Sequence, residues 1–450
     1  MQSFKFGSYF GGIGYALSAR DYRIYWYGHV VSSHGVWMHR MAVGVLIFQL
    51  TDSPAWLGFI GFVYSLPLMI LGPIAGAIAD RFGIRLTAII AIVASILVTC
   101  LMAALALSRT MTPELVAASM IVLGVLHAFD FPVRQVLIQL LVGRNRMSAA
   151  IALNSTTFYT ASFTGPMLCA AVLALGSRYV GDAAPGVIFL IYGLTMAMLL
   201  VAILATRMRD HPTKGAESAK LLGNVLDGLH YMLNHEGMRL LLILSVGVSL
   251  FARPFMDLLP GYALAVFSHG TDGVGVMIAA SGIGALCFSV YMALRGRTEG
   301  LTRILIIFSA VGSAALLMYS GTLVFWFAAI VMAVVGGSLV VVGIASQSMI
   351  QHVTNNEFLA RVISVFFALT IGAQAIGVLV IGWIAEVAGF RVAFGSGAAL
   401  SLLVVVIVGP GLWRRARELE EPEAGFSPPP VTELAIDDTK SFRTADLSAK

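Results

Sequence analysis

The chain has 450 residues, 58% of them hydrophobic and only 11% charged, with a formal net charge of +5. Soluble domains carry about 25% charged residues, so this composition excludes an ordinary soluble enzyme and describes a chain that meets lipid along most of its length. The positive balance does not mark a nucleic-acid binder, because the basic residues fall in gaps between apolar runs rather than in one patch.

A helix needs about 20 apolar residues to cross a bilayer. Such runs fall near 24–50, 55–79, 86–107, 115–141, 149–175 and 185–206, then near 240–267, 274–294, 301–319, 322–350, 358–385 and 391–412. The expectation is an all-α membrane protein with twelve transmembrane helices. Its organisation is a cytoplasmic segment 1–23, a six-helix bundle 24–206, a linker 207–239, a second six-helix bundle 240–413 and a disordered, acidic, Pro-bearing tail 414–450.

Nineteen Lys and Arg residues fall on one side of this layout against three, Arg109, Arg178 and Arg391, on the other. Cytoplasmic loops collect positive charge, so both termini are expected in the cytoplasm, and twelve spans satisfy that parity. The N-terminus lacks the compact apolar core of a secretory signal and is expected to be retained. Cys100, Cys169 and Cys287 lie far apart in apolar runs, with neither a disulfide framework nor metal-ligand spacing.

The first span, "YWYGHVVSSHGVWMHR", carries His29, His34, His39 and Arg40. Steps of five residues rotate by about 140° on a helix, so the three histidines point in different directions and cannot form one metal site. His29 and Arg40 are eleven apart and share a face, which makes them candidates to line a path.

After the second span comes "GPIAGAIADRFGIRL". Gly72 and Gly76 allow close helix approach, Asp80 and Arg81 leave the membrane together, Gly83 supports a tight turn, and Arg85 begins the next helix. A charged latch of this kind, made and broken at a helix end, can bias one conformation over another. The loop resembles that of the major facilitator superfamily, whose motif runs Gly-x-x-x-Asp-Arg-x-Gly-Arg-Arg/Lys. Gly76, Asp80, Arg81, Gly83 and Arg85 match, and Ile84 replaces a basic residue. The resemblance implies the major facilitator fold, with Asp80 and Arg81 stabilising an outward-facing state. In the second half the equivalent loop, "ALRGRTEGLTR", keeps only scattered arginines.

In the fourth span, "AFDFPVRQ" puts Asp130 and Arg134 four residues apart, one turn of helix, with Pro132 loosening the backbone between them. Charges near a bilayer centre cost roughly 2.5–3.5 kcal/mol on insertion scales and tend to face a cavity and to be functional. A carboxylate there can hold or release a proton as its surroundings alternate between water and protein. Asp130 is the expected titrating group and Arg134 the charge that tunes it, with a purely structural ion pair as the alternative.

The fifth span, "TASFTGPMLCAAVLALG", resembles the Gly-x-x-x-Gly-Pro-x-x-Gly-Gly motif of superfamily antiporters. Gly165 and Pro166 match, while Ala161, Cys169 and Ala170 stand where glycines would. Small residues keep close packing possible. In the linker, Leu221, Leu222, Val225, Leu226 and Leu229 recur at helical spacing, for a helix lying on the membrane face or packing on its own protein.

The seventh span, "LFARPFMDLLP", again sets an acid and an arginine four apart, Arg253 and Asp257, with Pro254 and Pro260 beside them. An internal repeat then emerges. Gln135 and Gln139 of "RQVLIQ" map onto Gln347 and Gln351 of "SQSMIQ" at a shift of 212 residues, and the same shift carries Gly165 onto Gly377. Two related bundles with a path where they meet are a transporter architecture.

The stretches "LSARDYRIYWYGHVVSSHGVWM", "AFDFPVRQ", "LLGNVLDGLHYML" and "LARVISVFFAL" are similar to the bacterial exporter branch that includes the enterobactin exporter and drug effluxers. That resemblance implies proton-coupled efflux of a small amphipathic, drug-like or siderophore-like molecule across the bacterial inner membrane by a monomer. Arg40, Arg253, Asp257, His29 and Gln347 are the expected pathway residues. Uptake of a polar solute, or flipping of an acyl-bearing lipid through a lateral opening, are the alternatives. No Ser–His pairing at meaningful spacing, His-Glu-x-x-His zinc motif or phosphate-binding loop with its lysine is present, so no cofactor, enzyme activity or direct ATP drive is expected.

Overall fold

A computed structural model describes residues 16–142, 146–207, 221–267, 270–295, 299–354 and 358–420. The expected tail beyond 420 and the linker stretch 208–220 lie outside the described residues. Among those described, eleven helices are long and apolar enough to cross a membrane. The first helix, Arg20–Thr51, makes twelve by length; its histidines and Arg40 are what lower its apolarity. The remaining spans of the first bundle are two, Pro54–Phe82, three, Ile84–Leu107, four, Pro113–Leu141, five, Met147–Val180, and six, Ala184–Ala205.

In the second bundle span seven is broken into Glu236–Phe251 and Phe255–Phe267. Spans eight to twelve follow as Gly270–Arg295, Leu301–Gly321, Phe325–Val353, Leu359–Ala388 and Phe390–Arg414. All are α-helical, as the lack of water to satisfy backbone groups in lipid requires.

Helix ends show why the segments stop where they do. Thr112 precedes Pro113 and its hydroxyl accepts from the Leu115 N–H at 3.4 Å, which caps span four. Gly83 joins spans two and three at φ +97°, a backbone conformation open to glycine, as the tight-turn expectation requires. Arg391 donates to the carbonyls of Ser320 at 2.9 Å and Gly321 at 2.5 Å, closing the end of span nine.

Within each bundle, polar contacts tie the spans in addition to close apolar packing. Spans one and five share Tyr22 to the Ala150 carbonyl (3.0 Å), Trp26 to Thr157 (3.1 Å) and His34 to Thr164 (2.8 Å). The second bundle joins Ser245 to Ser346 at 3.0 Å and Ser313 to Ser401 at 2.8 Å.

The repeat is visible in packing. A Cβ added at Gly165 would stand 2.6 Å from the Trp37 Cβ, so span five lies directly on span one. A Cβ added at Gly377 would press on the Leu250 carbonyl and stand 2.8 Å from Pro254 Cγ, so span eleven lies on span seven in the corresponding way.

The bundles meet along two seams, span two against span eleven and span five against span eight. At the first, a Cβ on Gly58 would stand 2.6 Å from the Val378 carbonyl and 3.2 Å from Gly382 Cα; at the second, one on Gly275 would stand 3.1 Å from Ala170 Cβ. Both seams are packed at these points, where a lipid-handling protein would open. All of these contacts lie toward the end that the sequence makes poor in arginine. There the Glu386 carboxylate of span eleven accepts from the Ser53 hydroxyl (2.6 Å) and the Ala55 N–H (3.1 Å), capping span two across the bundle boundary. Phe48 and Phe390 add a ring contact at 5.9 Å.

The linker helix, Leu221–Asn234, packs on its own protein. Asp227 pairs with Arg361 at 3.6 Å, Tyr231 stacks on Phe358 at 5.0 Å, and Met232 is fully buried. The side chains of residues 221–226, which carry most of its apolar spacing, lie outside the described set.

Candidate functional site

Span seven breaks because Pro254 lacks an N–H and disfavours helical geometry at Arg253. The Arg253 N–H instead reaches back to the Val248 carbonyl at 3.0 Å, and a new half-helix starts at Phe255. Asp257 therefore sits inside the span, in the first turn of a half-helix, where the helix dipole favours negative charge.

The i,i+4 spacing pointed to Arg253 as its neighbour. The structure brings a different one. Arg40 of span one donates from Nη2 to Asp257 Oδ1 at 2.8 Å, across the boundary between the bundles. Gln374 of span eleven donates from Nε2 to Asp257 Oδ2 at 3.0 Å. The Arg40 guanidinium also lies over the rings of Trp37 at 5.1 Å and Tyr64 at 5.5 Å.

Two recesses flank this ion pair. The larger is lined by Trp37, Arg40, Pro166, Met256, Asp257 and Ser281 among others. The smaller lies against Tyr64, Met120, Arg40 and Asp257. Pro166 of the antiporter-like motif thus forms part of the wall, while Gly165 beside it provides the close approach to span one. Ser281 is one of the lining residues, but its hydroxyl is buried against Gly336 of span ten, with no hydrogen-bond partner among the described residues.

The second pair forms as the sequence spacing implies. Arg134 Nε and Asp130 Oδ2 are 2.6 Å apart inside span four. Arg134 also donates to the Ser32 hydroxyl of span one at 3.3 Å. The Asp130 Oδ1 atom is buried without a hydrogen-bond partner. Asp130 and Arg134 lie within the first bundle, with side chains 12% and 14% exposed, against 18% and 23% for Asp257 and Arg40. The bridging pair is the more open of the two.

His29 is not among the residues lining either recess. It is buried, stacks on Tyr25 at 5.6 Å and comes within 3.5 Å of the Ser33 hydroxyl. His39 is likewise buried, against Phe189 and Tyr192. The sequence reading passed over His127, one turn before Asp130. Its ring stacks on Tyr64 at 5.6 Å, and Tyr64 carries the Arg40 guanidinium, so aromatic groups connect the neighbourhoods of the two ion pairs. Gln347 is half-buried in span ten and lines neither recess.

Of the latch residues, Gly83 forms the turn and Arg85 donates to the Leu204 carbonyl at 3.1 Å, closing the end of span six. Gly76, Asp80 and Arg81 lie in the last turns of span two, and their side chains are outside the described set.

Residues 15–441 match the family model described as transmembrane secretion effector. The chain belongs to that family, within the major facilitator superfamily. It is a membrane transporter and not an enzyme. Among curated relatives, the staphyloferrin A transporter of Staphylococcus aureus is 25% identical over 257 residues, 56% of this chain and 62% of its own length. The chain thus aligns with less than two thirds of that relative. The MFS-type transporter YfiS of Bacillus subtilis is 25% identical over 84% of this chain and 89% of its own.

Solved structures share the fold. The nucleoside transporter NupG superposes with a TM-score of 0.67 at 13% identity, covering 88% of this chain and 99% of that one. The human organic anion transporter MFSD10 does so at 0.61 and 16% identity, covering 86% and 99%. At these identities the likeness speaks for the major facilitator fold alone.

Proposed function

We propose that this transporter exports a small amphipathic molecule in exchange for protons, by alternating access at the recess beside Arg40 and Asp257. The observation that carries the reading is the ion pair that bridges the bundles within their spans, with a recess on either side. Rocking the bundles apart has to break it, and a transported molecule or a proton can supply the replacement interaction.

Asp130 is the proton-carrying group in this reading. Its unpartnered Oδ1 can take a proton without giving up a hydrogen bond, while Arg134 holds the other oxygen. Tyr64 and His127 lie between it and Arg40, close enough for a change of charge at one pair to be felt at the other.

In this reading the arginine-rich end faces the cytoplasm of a bacterial inner membrane, with both termini on that side, an orientation that the excess of basic residues supports, and the protein acts as a monomer. The end packed shut by Glu386 then faces outward, and loading occurs from the cytoplasm. Asp80, Arg81 and Gly76 form the latch that closes the cytoplasmic end in the opposite state. The family description as a secretion effector and the siderophore transporter among the relatives favour export of a siderophore-like or drug-like cargo.

The test uses everted inner-membrane vesicles with an inside-acid gradient and a panel of drugs, siderophores and polar solutes. The expected result is accumulation of at least one amphipathic compound with dissipation of the gradient. Accumulation only in right-side-out vesicles would instead establish uptake.

A further inference from the structure

The site holds a carboxylate of its own. Arg40 presents five N–H donors in a planar fork, yet a single hydrogen bond, from Nη2 to Asp257 Oδ1, is formed with another residue of the described chain. Trp37 and Tyr64 hold the guanidinium plane, so the fork is already oriented toward the recesses. Asp257 comes from the opposite bundle and lies in the first turn of a half-helix whose dipole favours an anion at that place, whichever molecule provides it.

Around this point the larger recess is apolar, with Met41, Met256, Leu259, Pro260 and Ile278 on its walls.

We infer that the transported molecule carries an anionic group, a carboxylate in the simplest case, that binds Arg40 in place of Asp257, with its apolar body against Met41, Met256 and Ile278. Asp257 is a built-in competitor. It keeps Arg40 paired when the site is empty and yields when a carboxylate engages the guanidinium through two N–H bonds instead of one. Gln374, donating to the other Asp257 oxygen, retains the displaced side chain. Cargo binding thereby removes a bond between the bundles and frees them to move. A cationic cargo would pair with Asp257 and leave Arg40 unmatched, so the two charge types make opposite predictions.

The inference rests on the recess being the transport site but needs neither a direction nor a coupling ion, so its test is binding by the purified full chain in lipid nanodiscs without a gradient. The probes are 2-naphthoate and its neutral analogue 2-naphthamide, read by quenching of tryptophan emission and by thermal shift. Asp257→Asn removes the competitor and is expected to raise naphthoate affinity about tenfold, and more than that of naphthamide. Arg40→Gln is expected to abolish the preference for the anion, and Arg40→Lys to retain part of it, which separates lost recognition from a misfolded chain. Equal binding of naphthoate and naphthamide by Asp257→Asn, or weaker naphthoate binding than in the wild type, overturns the inference. Transport failing in vesicles while this preference persists would count against the proposed function alone.

Discussion

Glu386 offers a direct way to weaken one end of the transporter. Its carboxylate, from span eleven, accepts from the Ser53 hydroxyl and the Ala55 N–H at the start of span two, so one side chain both caps a helix and ties the bundles together. Glu386→Gln keeps the length and an acceptor but removes the charge that the helix N-terminus attracts. The group is exposed to solvent, which keeps its worth at the low end of the range for helix caps, about 1 kcal/mol. That corresponds to about a fivefold shift toward states open at this end.

The assay is pulsed electron–electron resonance between spin labels at Phe59 of span two and Val387 of span eleven, both with exposed side chains. The background has Cys100, Cys169 and Cys287 replaced. The long-distance population should grow in Glu386→Gln and in Ser53→Ala, and the double variant should add less than the sum of the two. An unchanged distance distribution in Glu386→Gln, or fully additive effects, would refute the idea that this contact holds the end closed.

Two further outcomes follow from packing and capping. Gly165→Val places methyl groups where a Cβ alone would already stand 2.6 Å from Trp37 Cβ, so it should separate spans one and five and cost about 1–3 kcal/mol, read as a fall in thermal midpoint and in transport. Glu420 receives the Gly300 N–H at 2.6 Å and the Thr302 N–H at 3.0 Å, so Glu420→Ala should uncap span nine and lower the thermal midpoint by an amount matching about 1 kcal/mol, with transport retained.

Much of the fold is legible in the sequence because lipid imposes a simple rule of long apolar helices with charge between them. The twelve-span layout and Gly83's turn come from that rule and from local geometry, and Asp130 with Arg134 from helical spacing. The partner of Asp257 was not legible. Arg40 lies 217 residues away on another bundle, while Arg253 occupied the one position that local periodicity could nominate. The signal for the break between Arg253 and its acid was Pro254, which prevents a continuous helix there. Gln374 in "IGAQAIG" is an amide in an apolar run, a mark of an intramembrane partner that the sequence reading left unused. His127 was overlooked although it precedes Asp130 by three residues, a spacing that shares a helix face. His29 went astray for the reverse reason: sharing a face with Arg40 does not say which neighbours cover that face one and a half nanometres away.

The central claim is that proton movement passes through Asp130 while cargo binds elsewhere. Proteoliposomes holding wild type or Asp130→Asn, loaded with a compound identified in the vesicle panel, separate the two. Asp130→Asn is expected to keep exchange of labelled for unlabelled cargo while losing accumulation driven by a pH gradient. Gradient-driven accumulation at the wild-type rate in Asp130→Asn would contradict the account and leave the Asp130–Arg134 pair as a structural brace of the first bundle.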